Sequence, residues 1–434
     1  MSRRDLLKNQ IWIFFITYFT IAARHISIQS WAMVKPEIGD DLSMDSTLLG
    51  TLDFTFLFCY AFGNFISGTL SDKISPSKVA SIGVGLGGII YLICVLLGSL
   101  KINNPLVFSI LFAFEGIFQS AAWPSSVSIM GNWFPKANTG KIIGFWSSNA
   151  AAGHLIGAQL SAFLMYNKVS WKLIISFCAY FMIFVAILLW IFGKDKPEYS
   201  LEASTPLLAD TNLEIKKEPK KKLTFWQAWL LPGVINYSLS FASVKTLNYA
   251  ILMWLPYYLH DDYKIDSNSI GIMANLYDVA SLVGVFIFGW VTDKLGSRGP
   301  TLCVIMFSTL PVIWGFEAVP VNSWWIFYFL SFMIGILAGA AGQLIPGAVS
   351  VDIGRHDSDK SCEKALSTVA GIIDGTGSLG AAFGQILIGY LASFDWMYSF
   401  IFMLIAGFIS FALLLPIGVR EYTAKKVEKK TYKI

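Results

Sequence analysis

Charged residues are scarce in this chain. Asp, Glu, Lys and Arg make up 14% of its 434 residues, whereas about 25% is usual for a soluble globular protein. The shortage of charge accompanies 55% hydrophobic residues and a mean hydropathy of +0.60. This composition excludes an ordinary soluble domain and indicates a protein that crosses a membrane many times.

Cysteine is also rare, and its pattern excludes two further classes. The five cysteines are odd in number and scattered along the chain, so they predict neither a disulfide framework nor a metal site. No nucleophile–base pairing or metal-ligand spacing stands out either. We therefore expect no enzymatic activity, no metal, no cofactor and no nucleic-acid partner.

Long apolar segments dominate what is present. Each is about long enough to cross the ~30 Å hydrocarbon core of a bilayer as a helix. We predict an all-α membrane protein with twelve transmembrane helices. The predicted spans are 11–34, 49–70, 79–100, 106–133, 140–166, 171–192, 233–259, 270–292, 301–319, 324–350, 365–392 and 396–419.

The basic residues are distributed unevenly between the two sides of such a bundle. The N-terminus, the C-terminal tail and the loops after even-numbered spans hold 25 of the 32 Lys and Arg residues, and the opposite loops hold five. Positive charge is favoured on the cytosolic side, so both termini are predicted to be cytosolic. The longest loop, 193–231, is predicted to be a cytosolic linker with a basic cluster at Lys220–Lys222.

An internal repeat divides the chain into two halves. The segments Gly63–Lys73 and Gly284–Lys294 share the pattern G-x-F-I-x-G-x-x-x-D-K at an offset of 221 residues. Self-similarity of this kind marks a duplicated architecture. We predict two pseudo-symmetric six-helix halves, residues 1–192 and 232–420, joined by the linker and followed by a cytosolic tail, 421–434.

The same offset relates two cations. Arg24, inside the first predicted helix, maps onto Lys245, the basic residue inside the seventh, and both are about 18–20 Å from the cytosolic end at 1.5 Å per residue. A guanidinium at that depth costs at least ~2.5–3.5 kcal/mol without a partner. An anionic substrate would compensate it, and the alternative is an ion pair that holds helices together.

Other polar residues inside predicted spans are candidates for the same site. In helix seven, Lys245, Asn248 and Tyr249 share one helical face. In helix five, Asn149 and His154 project about 140° apart, and Asn149 is the one we select. The remaining candidates are His25 beside Arg24, Trp123 in helix four, and the acids Glu115, Asp278 and Asp374 as coupling or ion-pair groups.

The repeated motif and the two halves resemble the major facilitator superfamily. Four further stretches resemble the sugar-phosphate/phosphate exchangers, a group of organophosphate/phosphate antiporters that includes the glucose-6-phosphate transporter: Tyr60–Gly68, Trp123–Ser125 with Gly131–Phe134, Trp254–Tyr258, and Lys364–Ala382. The resemblance implies that Arg24 and Lys245 clasp a phosphate. It also implies cytosolic gate clusters formed by Asp72, Lys73 and Lys78, and by Asp293, Lys294 and Arg298.

The function expected from this resemblance is exchange of a sugar phosphate, such as glucose 6-phosphate, for inorganic phosphate by alternating access. Two bare cations would oppose closure of the empty site, and a bound dianion would permit it. The alternatives are a proton-coupled symporter of sugars or organic anions, which would use one of the embedded acids, and a non-transporting membrane receptor. The resemblance also implies the endoplasmic reticulum or another endomembrane, and leaves the oligomeric state open.

Overall fold

The computed structural model describes residues 3–44, 46–134, 139–197, 224–255, 258–259, 262–265, 267–320, 323, 325–354, 365–392 and 394–431. Within these ranges the chain is helical and contains no strand. The predicted all-α membrane fold is therefore confirmed. The central part of the predicted linker, 198–223 with its basic cluster, lies outside the described residues.

The described residues of the first half form eight helices. They are α1 (Arg3–Leu42), α2 (Ser46–Lys73), α3 (Pro76–Ser99), α4 (Pro105–Gln119), α5 (Ala122–Trp133), α6 (Thr139–Ser147), α7 (Asn149–Tyr166) and α8 (Trp171–Phe192). The predicted fourth span is interrupted between α4 and α5, three residues before Pro124, which has no backbone N–H to donate. The predicted fifth span is interrupted at Ser148, between α6 and α7.

The described residues of the second half form nine helices. They are α9 (Phe225–Trp229), α10 (Val234–Met253), α11 (Ser267–Leu295), α12 (Gly299–Glu317), α13 (Ile326–Ile334), α14 (Ala340–Leu344), α15 (Ser350–Gly354), α16 (Leu366–Ala392) and α17 (Trp396–Thr431). Two π-helical turns, Gly335–Gly339 and Ile345–Val349, connect α13, α14 and α15 into one continuous span. Helix α17 continues to Thr431, through most of the segment predicted to be a separate tail.

Nine helical segments within the described ranges are long and apolar enough to cross a membrane. The pair α6–α7, helix α10 and helix α16 are not among the nine. Each of these three carries polar side chains, Asn149, Lys245 and Asp374 among them, which lower its mean hydropathy. The count of twelve spans stays a prediction.

Each half has its own hydrophobic core. One cluster of buried side chains is drawn from residues 13–189, with Val351, Leu366, Ala370 and Ala382 added from across the interface. The other is drawn from residues 228–417. Most side chains of each core therefore come from one half of the chain.

The repeat is visible in matching helix caps. The Asp195 carboxylate, just beyond α8, accepts a hydrogen bond from the Ser77 backbone N–H of α3 at 2.8 Å. In the second half, the Glu421 carboxylate of α17 accepts one from the Gly299 N–H of α12, also at 2.8 Å. A carboxylate at the first turn satisfies free N–H groups and complements the helix dipole. In each half, this bond ties the end of the last long helix to the start of the third long helix, α3 or α12.

The two halves meet closely at the end of the bundle that carries Asp72 and Asp293, here called the motif end. A Cβ added to Gly68 of α2 would lie 2.6 Å from the Ser367 carbonyl oxygen and 3.1 Å from Gly371 Cα of α16. The two helices therefore cross with their backbones in contact, which residues without a side chain allow. The motif end is closed in this structure.

Three groups brace the opposite end of the first half. The Asp41 carboxylate, beyond the apolar part of α1, accepts hydrogen bonds from Lys101, from Lys172 at 2.9 Å and from the Trp171 indole at 3.1 Å. These donors, that of Lys101 above all, hold the pKa of Asp41 well below its usual range. The contact joins α1 to α8 and to the loop after α3.

Candidate functional site

A polar cavity of about 110 Å³ lies between the two halves. Helices α1, α2, α5 and α7 contribute from the first half, and α10, α11, α14 and α16 contribute from the second. The three units with the lowest apolar content therefore all reach this cavity.

Arg24 enters the cavity from α1 and is 5% exposed. Its Nε donates to Gln119 Oε1 at 3.1 Å, and its guanidinium carbon lies 4.8 Å from the centroid of the Tyr60 ring. Among the described residues it makes no ion pair with a carboxylate. The bond at Nε fixes the plane of the guanidinium while its two terminal nitrogens remain available for an anion.

Lys245 enters from α10 and has a local counter-ion. Its Nζ donates to Asp374 Oδ1 at 2.7 Å and to Ser378 Oγ at 2.8 Å, both on α16. The hydroxyl of Tyr60, in the first half, donates to the other carboxylate oxygen of Asp374 at 2.9 Å. Lys245 is therefore not the bare cation expected from the sequence, because Asp374 compensates its charge in the empty site.

Tyr60 brings the two cations together. Lys245 Nζ lies 5.5 Å from the centroid of the Tyr60 ring, the ring that Arg24 also contacts. The two distances place the charged centres at most about 10 Å apart. A single phosphate or phosphate ester between them can reach both, because each cation–oxygen contact spans ~3 Å.

His25 and His154 form a pair on the first-half wall of the cavity. His25 Nδ1 lies 2.9 Å from His154 Nε2, so one ring donates to the other. Both rings line the cavity. Asn149 does not: it is fully buried, and its amide donates to the Trp146 carbonyl at 2.6 Å. The structure thus places His154 on the wall and the preferred residue, Asn149, behind it.

Three other predicted residues reach the cavity. Asn248 and Tyr249 line it from α10, on the same face as Lys245, as the helical spacing predicts. Trp123 lines it from α5 and packs against Trp146, with ring centroids 5.3 Å apart. Within the described part of the chain, the Trp123 indole N–H has no hydrogen-bond partner.

The three embedded acids differ in their surroundings. Asp374 is paired with Lys245. Glu115 is fully buried outside the cavity wall, and one of its oxygens accepts a hydrogen bond from the Gln119 amide, which links it indirectly to Arg24. Asp278 lines the cavity from α11 and makes no ion pair with any residue that the structure describes.

The predicted gate residues lie at the motif end in two different arrangements. Asp72 accepts from the backbone N–H groups of Ser367 at 3.0 Å and Thr368 at 2.7 Å, so it caps α16 across the interface. In the second half, Arg298 pairs with Asp293 at 2.9 Å and with Asp352 at 3.0 Å.

The gate lysines lie over aromatic rings. The ammonium group of Lys78 is 5.6 Å from the centroid of the Trp190 ring, and that of Lys294 is 5.0 Å from the centroid of the Trp290 ring. The side chain of Lys73 lines a shallow surface depression with Phe225 of α9. Among the gate residues, Asp72 thus connects the two halves through its bonds to α16, whereas Arg298 pairs with acids of its own half.

The sequence did not predict every residue of the site, and Tyr60, Gln119 and His154 are the ones that contact its charged groups and its His25 ring. Tyr60 lies within a stretch that carries the family resemblance, Gln119 follows Glu115 at the i+4 spacing that lets side chains meet, and His154 projects about 140° away from Asn149. None carries a charge signal like that of Arg24. In the described ranges, no three His, Cys, Asp or Glu residues are grouped as a metal site.

A helical membrane protein of two repeated halves, with a polar cavity at their interface, has the architecture of an alternating-access transporter. Sequence comparison agrees. The sequence profile of the Major Facilitator Superfamily matches residues 11–361 and 248–433. The chain belongs to this superfamily.

Individual proteins resemble this chain over most of its length. Sugar phosphate exchanger 3 of Mus musculus is 30% identical, with 95% of this chain and 93% of that protein aligned. The glucose-6-phosphate exchanger SLC37A2 of Mus musculus is 28% identical over 92% of this chain and 84% of that protein. The crystal structure of a bacterial homologue of the iron transporter ferroportin superposes with a TM-score of 0.68 at 13% identity, covering 93% of this chain and 98% of that chain. The last match supports the fold alone.

Proposed function

We propose that this protein exchanges a sugar phosphate for inorganic phosphate across a membrane. The observation that carries the proposal is the pair Arg24 and Lys245, one from each half, on a shared tyrosine in one cavity. The relatives named as exchangers of sugar phosphates support the same substrate class. Only a compound with a concentrated negative charge makes use of both cations.

The two cations have different roles in this proposal. Arg24 receives the phosphate on its two terminal nitrogens, because Gln119 holds Nε. Lys245 acts as a point charge that transfers from the Asp374 carboxylate to the phosphate as the substrate arrives. Asp374 is then an internal anion that occupies Lys245 between substrates, and Tyr60 retains it.

Coupling follows from the cost of leaving Arg24 without an anion. Reorientation encloses the site between the halves, where an unpaired charge loses its hydration. A bound phosphate supplies the missing negative charge, so the loaded carrier reorients and the empty carrier does not. Transport of this kind is exchange, with inorganic phosphate as the returning substrate.

Topology and location form part of the proposal. The motif end, with the termini, faces the cytosol, since most Lys and Arg residues belong to that side. The halves are residues 1–192 and 232–420. The resemblance to endomembrane sugar-phosphate carriers favours the endoplasmic reticulum or another internal membrane as its residence.

The test is release of labelled phosphate from proteoliposomes that contain the purified protein, with and without external glucose 6-phosphate. We expect release that depends on the external ester and falls at least ~10-fold in Arg24→Ala and in Lys245→Ala, because each removes a charged hydrogen bond to the substrate. Lys101→Ala removes a cation outside the cavity and serves as the matched control. Thermal unfolding of each purified variant checks that it is folded.

The same vesicles separate the second candidate function. Asp278 faces the cavity without an ion-pair partner among the described residues, as a proton-coupling carboxylate would. A proton-coupled symporter would accumulate substrate in response to an imposed pH gradient without internal phosphate. Such accumulation, together with no phosphate release in wild type, would refute exchange and favour the symporter.

A further inference from the structure

The second-half wall of the cavity carries four polar side chains that have no partner among the described residues. They are Asn248 of α10, Asp278 and Ser281 of α11, and Gln343 of α14, and all four line the cavity. Within the described residues, none of the four makes a hydrogen bond or an ion pair. The Asn248 side-chain oxygen is fully buried and still lacks a donor.

The cationic part of the same cavity is bonded differently. Arg24 is held by Gln119, His25 by His154, and Lys245 by Asp374. Buried polar groups are normally satisfied, because each unsatisfied one costs free energy. The Asn248 oxygen is such an unsatisfied group, and the other three face the same cavity without a protein partner among the described residues, so a ligand in the cavity can supply the missing hydrogen bonds.

Two glycines bring these groups into one corner. A Cβ added to Gly339 would lie 2.7 Å from Ser281 Oγ, and one added to Gly342 would overlap the Asn248 amide nitrogen. The span that contains α14 thus passes directly against both α10 and α11. We call Asn248, Asp278, Ser281 and Gln343 the hydroxyl corner.

We propose that the hydroxyl corner binds the hydroxyl groups of the transported phosphate ester and selects for a polyhydroxylated substrate. This inference rests on the proposed function, since it takes Arg24 and Lys245 as the phosphate site. A carboxylate only accepts hydrogen bonds, whereas the amides and the serine both donate and accept. Sugar hydroxyls, which also donate and accept, satisfy all four groups.

Charge orients the ligand between the two sites. The Asp278 carboxylate repels a phosphate and accepts hydroxyl donors, so the phosphate lies against Arg24 and Lys245 and the sugar lies against the second-half wall. A site built to hydrogen-bond a hydroxyl discriminates strongly against an analogue that lacks it, because the protein group is then left unpaired. Inorganic phosphate has no carbon-bound hydroxyls and leaves the corner to water.

The experiment compares three external competitors of labelled phosphate exchange in proteoliposomes: methyl phosphate, glycerol 3-phosphate and glucose 6-phosphate. For wild type we expect potency to rise in that order. In Asp278→Leu, the ratio of the inhibition constants of glucose 6-phosphate and methyl phosphate should rise at least ~10-fold, the size expected for a lost charged hydrogen bond. Asp41→Asn, which removes a carboxylate outside the cavity, should leave the ratio unchanged.

Several outcomes would overturn the inference. The first is equal potency of methyl phosphate and glucose 6-phosphate on wild type. The second is a parallel change of both inhibition constants in Asp278→Leu. The third is complete loss of phosphate exchange in a folded Asp278→Leu protein, which would assign Asp278 to the transport step itself. If Asp278→Leu does not fold, Gln343→Ala provides the same ratio without a change of charge. Failure of the proposed function itself is distinct, because wild type would then exchange no phosphate with any competitor.

Discussion

Replacing Asp374 by Asn tests whether this carboxylate stands in for the substrate at Lys245. The change keeps the size of the side chain and removes its charge. Lys245, whose side chain is 12% exposed, then keeps Ser378 as a partner but loses its counter-ion. Removing one partner of a buried ion pair costs ~3–5 kcal/mol, and we expect about 3 kcal/mol here because a cavity lies beside the lysine.

An anion should restore what the substitution removes. A ligand that binds only the folded protein stabilises it by RT ln(1 + [L]/Kd). Without Asp374 as competitor, phosphate should bind Lys245 more tightly, and each tenfold gain in affinity adds ~1.4 kcal/mol at saturation. Thermal unfolding of the purified protein in detergent should therefore show a lower Tm for Asp374→Asn in chloride buffer and a larger rise in Tm with phosphate than in wild type.

The double variant Asp374→Asn with Lys245→Met supplies the control. It removes both charges, so it should recover part of the lost stability and respond to phosphate less than Asp374→Asn alone. The reasoning is refuted if Asp374→Asn unfolds at the wild-type temperature in chloride, or if phosphate shifts its Tm no more than it shifts that of wild type.

Three further predictions follow from single contacts. Gln119→Ala releases the Nε of Arg24, and we expect KM for external sugar phosphate to rise at least ~10-fold, which corresponds to the ~1.5 kcal/mol of a hydrogen bond to a charged group; an unchanged KM would contradict the positioning role. In Gly68→Ala the new Cβ would lie 2.6 Å from the Ser367 carbonyl oxygen, so we expect the two helices to separate at the motif end. A cysteine introduced at this helix crossing should then react faster with a water-soluble maleimide when residue 68 is Ala than when it is Gly. Equal rates in the two proteins would show that the closed motif end tolerates the methyl group. The pKa of Asp41 is lowered in the folded protein by its lysine partners. Its ionised carboxylate therefore stabilises the fold fully at pH values above the unfolded pKa of ~3.9, and this stabilisation is lost as the pH falls from there toward the lower folded pKa. The difference in unfolding free energy between wild type and Asp41→Asn, at most ~1 kcal/mol for so exposed a group, should therefore stay constant from pH 5 to 8 and shrink below about pH 4.

The repeat made much of the site predictable. The offset of 221 residues carries Arg24 onto Lys245 in the sequence, and both residues reach the same cavity because duplicated helices occupy equivalent positions in the two halves. The face formed by Lys245, Asn248 and Tyr249 was also predictable, since helical geometry fixes which side chains project together. Local rules of this kind need no knowledge of neighbouring helices.

Partners across helices were not predictable in this way. The sequence offers three embedded acids, Glu115, Asp278 and Asp374, and nothing in their spacing selects Asp374 rather than Asp278 as the counter-ion of Lys245. That choice depends on how α10 packs against α16. The two backbones lie close together, since a Cβ added to Gly380 would lie 2.7 Å from the Ala242 carbonyl oxygen. The pairing of His25 with His154 likewise depends on the contact between α1 and α7.

The sequence by itself therefore determined the class of the protein, its division into halves and the two cations, because apolar length, repetition and buried charge are properties of the chain read locally. Tertiary structure alone decided which acid neutralises Lys245, which polar groups remain unpaired on the cavity wall, and which end of the bundle is closed. These outcomes depend on distances between side chains far apart in sequence. Such distances are set by backbone contacts between helices, and glycine permits the closest of them, as at Gly68 against Gly371 and at Gly380 against Ala242.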